Sequence, residues 1–100
     1  MDKKHFALKL IPCRSTFAQD MTVEERAIMM QHVAYFKDLM DRGMVIVYGP
    51  VMDPKGVYGL GVIEVDDEAQ VLAIITNDPA SKINTYEYYP MRAVVPGVNK

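Results

Sequence analysis

The chain has 100 residues, half of them hydrophobic and 24% charged, with a formal net charge of −2 and an isoelectric point near 5.6. That balance fits one globular domain over residues 1–100 and excludes a disordered chain, and a faintly acidic surface gives no general reason to bind nucleic acid or an anionic membrane. The lone Cys13 excludes an internal disulfide and a multi-cysteine metal site, and it fits a reducing compartment, so a cytoplasmic protein is expected.

The N-terminal "MDKKHFALKLIPC" pairs charge with a short apolar stretch, but Lys9 interrupts it and no small-residue cleavage site follows. It reads as no signal peptide, and no run approaches the roughly 18 apolar residues of a membrane span. Within it, "HFALKLI" sets Phe6, Leu8 and Leu10 against His5 and Lys9, the period-two pattern of a strand. "PCRSTFAQDM" begins with Pro and is polar, so it reads as a loop. Thr22-Val23-Glu24-Glu25 matches a capping box, which opens a helix running to about Arg42, where Gly43 supplies a stop. "MVIVYGP" is a β-branched strand ended by Gly49-Pro50, "MDPKG" has turn chemistry, and "VYGLGVIEV" is the next strand of a hairpin. Asp66 or Asp67 can cap a second helix, "EAQVLAIIT", which Asn77-Asp78-Pro79 breaks. "TYEYYPMRAVV" closes the chain as an extended segment with Tyr86 and Tyr88 on one side, and its Pro90 favours an edge strand or a bulge.

The order βαββαβ is the ferredoxin-like arrangement: an α+β fold whose four-stranded antiparallel sheet carries two helices on one face. Two of its strands, "MVIV" and "VYGLGVIEV", are apolar on both alternating faces, whereas the helices cover only one. The bare face predicts a homodimer packed sheet against sheet.

One residue is out of place on the first helix. His32 falls within the arc of Ile28, Met29, Phe36 and Leu39, while Glu24, Gln31, Asp38, Asp41 and Arg42 lie mostly opposite. It is either a core histidine satisfied by a carbonyl or carboxylate, or a histidine lining a cavity, where an imidazole suits proton transfer. Glu25 shares that face, and the capping box accounts for it.

The run "DMTVEERAIMMQHVAYFKDLMDRGMVIVYGPVMDPKGVYGLGVIEV", followed by "NDPASKINTYEYYPMRAV", resembles the YCII-related proteins. The helix histidine, Gly43, Gly49-Pro50, Asp78-Pro79 and a closing strand near Pro90 carry the resemblance in order, over nearly the whole chain. It implies a dimeric α+β barrel, a small pocket, and a catalytic pair formed by His32 and Asp78; it implies little about substrate. Many relatives follow Asp-Pro with an Ala-Gly pair, where this chain has Ser81-Lys82-Ile83-Asn84, a departure that bears on how the loop closes over the pocket.

The physical case for the pair is separate: an Asp beside an imidazole fixes its tautomer and stabilises the imidazolium. Taken alone, Asp78 before Pro79 equally closes a helix. Arg14 offers a bidentate clamp for a substrate carboxylate or phenolate, or is a solvated loop arginine. Gly49, with Pro50 beside it, lets backbone approach a ligand or simply serves the turn. Tyr48, Tyr86, Tyr88 and Tyr89 bind aromatics or pack. His5 and His32 lack metal-ligand spacing, and no Gly-rich phosphate loop exists, so neither metal nor cofactor is expected. Two function classes follow. One is a cofactor-independent lyase, isomerase or dehydrohalogenase-like enzyme using His32 and Asp78 on a small anionic organic substrate. The other is a small-molecule-binding or accessory dimeric domain whose His32 only shapes the pocket.

Overall fold

Strand β1 (Lys4–Ile11) buries Phe6, Leu8 and Leu10 and turns His5 and Lys9 to the other face, as alternation requires. The computed structural model describes residues 3–96. After β1 the expected loop contains one helical turn, α1 (Phe17–Asp20), too short to show a hydrophobic period. Phe17, 3% exposed, anchors it.

Helix α2 (Val23–Asp41) starts on the capping box that the sequence announces. Thr22 Oγ1 accepts from the Glu25 amide at 3.1 Å, and Glu25 Oε1 accepts from the Thr22 amide at 2.9 Å. At its end Gly43 takes φ +82°. The Gly43 amide donates to the Met40 carbonyl and the Met44 amide to the Leu39 carbonyl, both at 2.9 Å, which is the Schellman closure that a glycine makes cheap.

Strands β2 (Val45–Val51) and β3 (Tyr58–Val65) form the expected hairpin, with a bulge between Val45 and Val47. Gly49 and Pro50 do not end β2; they pair with Leu60 and Gly59. Because β2 is an edge strand, Pro50 has no inward amide to supply. Asp67 caps α3 (Glu68–Asn77) by accepting from the Gln70 amide at 3.1 Å. A 3-10 turn (Pro79–Lys82) leads into β4 (Thr85–Met91), the opposite edge, where Pro90 lies across from Phe6.

The sheet order is β2-β3-β1-β4, antiparallel throughout, so the chain has the ferredoxin-like α+β architecture. Phe36 and Leu39 of α2 and Val71 and Ile74 of α3 join Phe6, Leu8, Val45, Ile63 and Val65 in one core. Gly61 sets how closely α2 seats: a Cβ there would lie 3.1 Å from Phe36 Cε2. The Gly59-Leu60-Gly61 stretch is therefore a packing device, and the bulge sits in β2 instead.

On the face away from the helices, His5 Nε2 lies 3.1 Å from Glu64 Oε2 and the Lys9 ammonium sits 4.7 Å from the Tyr58 ring centroid. Toward β2 this face turns apolar, with Val47 paired to Val62 and Val51 to Tyr58.

Candidate active site

The break between α3 and the 3-10 turn carries the key carboxylate. Pro79 cannot continue a helix, so Asp78 leaves α3 in extended backbone (φ −74°, ψ 124°) and caps the following turn, its Oδ1 accepting from the Ala80 amide at 2.9 Å. That turn packs against α2. Its geometry aims Asp78 at the middle of α2, where His32 points inward.

His32 Nδ1 stands 2.8 Å from Asp78 Oδ2 and 3.0 Å from Oδ1. The Tyr86 hydroxyl, from β4, donates to Asp78 Oδ2 at 2.5 Å. The Asp78 side chain is 0% exposed and that of His32 13%. An isolated carboxylate at such depth would be very costly; here three donor groups converge on it. The carboxylate accepts the Nδ1 proton, so whenever the ring is neutral the free lone pair is on Nε2. Among the described residues Nε2 has no protein partner. Phe36, one turn further along α2, holds the ring with centroids 4.8 Å apart.

The two phenols nearby are donors, not bases. Burial first, then the hydrogen bond and charge of Asp78, push the Tyr86 phenol far above its ordinary range. Burial and then the Asp78 charge raise Tyr35 as well, and its hydroxyl donates to the Ile74 carbonyl at 2.8 Å.

His32 forms part of the wall of a cavity of about 230 Å³ between α2, the 12–21 segment and the sheet. Gly49, Pro50, Tyr48 and Asn84 line it too, with Phe17 and Met21 of the loop at one side. A Cβ on Gly49 would meet nothing within 4 Å, and because Gly49 pairs with Leu60 that Cβ would point to the outer sheet face, so Gly49 offers the cavity its backbone. Among the described residues no Ser, Thr, Cys, Lys, Arg, Asp or Glu lines the cavity, and no group of three or more His, Cys, Asp or Glu is placed to hold a metal ion. No helix in the described region is long and apolar enough to cross a membrane.

Arg14 is not brought to this cavity. Its guanidinium donates to both carboxylate oxygens of Glu25, at 2.9 and 2.8 Å, and to Asp20 Oδ1 at 2.8 Å and the Asp20 carbonyl at 2.9 Å. Two carboxylates and a helix end outcompete any role at the wall, and Arg14 instead ties the loop to α2 over the Phe17 ring. The hydrogen bond from Arg14, then that from the Thr22 amide, hold Glu25 down at about 2.

Sequence reasoning did not find Tyr86 as the third partner of Asp78. The alternation of β4 puts Tyr86 on the helix side with Tyr88, but it cannot say which hydroxyl meets a carboxylate; Tyr88 donates to Glu68 at 2.7 Å instead. Asn84 lies in the Ser81–Asn84 stretch that departs from relatives near the pocket, but nothing in the sequence marked the amide itself. Its Oδ1 is buried with no protein partner among the described residues.

Fold and site together define a ferredoxin-like α+β protein with a histidine–carboxylate pair at the wall of an apolar cavity. The model of the YCII-related domain matches residues 10–94, and the chain belongs to that family. Among solved structures it is similar to an uncharacterized protein from Thermotoga maritima, with a TM-score of 0.54 and 7% identity over 91% of this chain and 100% of the other; at that identity the likeness speaks for the fold alone. No curated protein matches the sequence.

Proposed function

We propose that this protein is a cofactor-independent acid/base catalyst that moves a proton on a small organic molecule held in the cavity. The observation that carries the reading is the contact of His32 Nδ1 with Asp78 at 2.8 Å, which leaves Nε2 without a protein partner at an apolar wall. Such a wall strengthens the electrostatics of the pair and keeps competing water out. No Ser, Thr, Cys, Lys, Asp or Glu lines the cavity among the described residues, so proton transfer by His32 is the chemistry the wall supports best. His32 Nε2 would take a proton from a carbon next to a carbonyl, the electron pair moving onto the carbonyl oxygen, while Asp78 stabilises the imidazolium. Return of the proton to another carbon gives isomerisation; loss of a neighbouring leaving group gives elimination. Tyr86 holds Asp78 in place and does not itself transfer the proton. With Arg14 engaged by Glu25 and Asp20, an anionic head group would face no cation on the wall except a protonated His32.

The working unit in this reading is a cytoplasmic homodimer joined through sheet faces. Val47 at 54% and Leu60 at 38% exposure, on neighbouring strands of the same outer face, support it, because a second copy would remove that patch from water. The exposed free thiol of Cys13 suits a reducing compartment.

The test is deuterium exchange into the methyl group of meta-hydroxyacetophenone in deuterium oxide, followed by proton NMR. Wild type is expected to accelerate exchange and His32→Gln to lose the acceleration by roughly 10²–10⁴-fold, the range for a general base. Equal rates for the two proteins would remove His32 from catalysis. Binding of the ketone with no exchange above buffer would leave a small-molecule-binding domain.

A further inference from the structure

We infer that Asn84 reads the polar head of the ligand, and that the cavity takes an uncharged, single-ring molecule carrying a hydroxyl donor. The inference rests on the ligand-holding role of the cavity described above and names its substrate class. Asn84 follows the same 3-10 turn that aims Asp78, and its amide donates to the Ala80 carbonyl at 2.9 Å. Asn84 is one of the residues that line the cavity, with Met29, His32 and Tyr86. The residue is 8% exposed.

Its surroundings satisfy their polar atoms with care. Asp78 receives three donor groups and Tyr35 finds a carbonyl. Among the described residues the Asn84 Oδ1 is the one buried side-chain polar atom left without a partner, while Nδ2 has only the Met29 thioether, at 3.5 Å. A leucine would suit this wall better on stability grounds, so the amide is a local fault in packing of the kind that marks a binding position. The sulfur is a weak acceptor that favours the N–H₂ end of the amide, which fixes the oxygen as the group left over. An unsatisfied oxygen calls for a donor, and a hydroxyl supplies one. Met29, whose sulfur lies 3.5 Å from Nδ2, is a flexible side chain that can move when a ligand enters and free the amide to meet it.

Charge and size narrow the class. No Lys, Arg, Asp or Glu lines the cavity among the described residues, so a charged ligand would be desolvated with little return. An apolar cavity of about 150 Å³ accepts benzene; the volume here, about 230 Å³ and lined by Phe36, Tyr48 and Tyr86 among others, accommodates one ring with small substituents.

The experiment is calorimetric titration of meta-hydroxyacetophenone and of its methyl ether into wild type, Asn84→Leu, Asn84→Ala and His32→Gln, with thermal melts of each protein. Wild type should prefer the hydroxyl compound by about tenfold, the worth of one neutral hydrogen bond. Both Asn84 variants should lose that preference, and His32→Gln should keep it. Asn84→Leu should melt at or above the wild-type temperature, since it removes an unsatisfied polar atom. The inference is overturned if wild type shows no preference, if it binds neither compound at millimolar concentration, or if Asn84→Leu and Asn84→Ala both melt well below wild type, which would make the amide structural. Retained preference with no deuterium exchange removes the catalytic reading alone; exchange without preference removes Asn84 alone.

Discussion

Replacing Asp78 by Asn separates charge from shape at the centre of the site. The Ala80 amide is fixed backbone at 2.9 Å from Oδ1, so the Asn oxygen must occupy that position. The new NH₂ then stands where Oδ2 was, facing His32 Nδ1 at 2.8 Å and the Tyr86 hydroxyl at 2.5 Å. Tyr86 can rotate its hydroxyl and accept. The Nδ1–H of His32 could still reach the Asn oxygen at the Oδ1 position, 3.0 Å away, but it would then face the NH₂ donor at 2.8 Å; moving the proton to Nε2 removes that donor–donor clash and turns the cavity-facing nitrogen from a base into a donor. Every contact survives as a neutral hydrogen bond, so the loss per bond is the difference between charged and neutral values, roughly 1 kcal/mol. Three donors are affected, and the relief of no longer burying a carboxylate offsets part of the loss. The expected net destabilisation is therefore about 1–3 kcal/mol, a fall in melting temperature of roughly 5–20 °C. Asp78→Ala, which strands the donors, should cost about 3–5 kcal/mol. Nitrogen-detected NMR of the His32 ring reads the tautomer directly: Nδ1–H in wild type, Nε2–H in the Asn variant. A variant that keeps the Nδ1–H tautomer and the wild-type melting temperature would refute the carboxylate's role in orienting His32.

Three further outcomes follow from the same structure. Gly61→Ala places a methyl 3.1 Å from Phe36 and should destabilise by about 1–3 kcal/mol by displacing α2; a denaturant melt at the wild-type midpoint would show that the helix has slack. Arg14→Ala should lower the melting temperature by a few degrees and increase proteolysis near α1, because Glu25 and Asp20 lose their shared partner; unchanged protease sensitivity would mean that the loop is held by Phe17 alone. Since Glu25 titrates at about 2 in the folded protein against an ordinary value of 4.5, the unfolded chain takes up the proton first. Stability from this group is full above about 4.5 and is lost as pH falls toward about 2. Glu25→Gln should flatten the acid limb of a stability-against-pH curve in that window, and an unaltered limb would assign the acid sensitivity elsewhere.

The fold was legible because its elements announce themselves locally. Phe6, Leu8 and Leu10 alternate, Thr22 and Glu25 sit at capping-box spacing, Gly43 stands where the left-handed closure falls, and Pro79 ends α3. Each is a short-range signal, and each is met in the structure. The boundary at Gly49-Pro50 was misplaced because a proline breaks a strand only where its missing amide faces a neighbour, and edge position is a property of the whole sheet. The turn at Phe17–Asp20 was invisible because one turn has no period. At the site, His32 stood out as an imidazole on an apolar arc. Its partner came from the resemblance to a family, since His32 and Asp78 are 46 residues apart and no local pattern joins them. Arg14 was legible as an anion partner but not which anion: the carboxylates of Glu25 and Asp20 lie within its own loop and helix start, and proximity in the chain gives them precedence over any ligand.

Tyr86 and Asn84 show why the last layer of a site resists reading from sequence. Both follow the turn that Asp78 begins, two residues apart, and strand alternation puts Tyr86 on the helix side. Tyr86 ends on Asp78, and Asn84 ends in the wall with an oxygen unmet. The break at Asp78-Pro79 thus governs three side chains: the carboxylate that orients His32, the phenol that supports the carboxylate, and the amide beside the cavity. A helix that ran on past Asn77 would carry all three away from α2. The proline that looks like mere punctuation in the sequence therefore brings these groups to the cavity, so the site depends on where α3 stops as much as on the histidine that first drew notice.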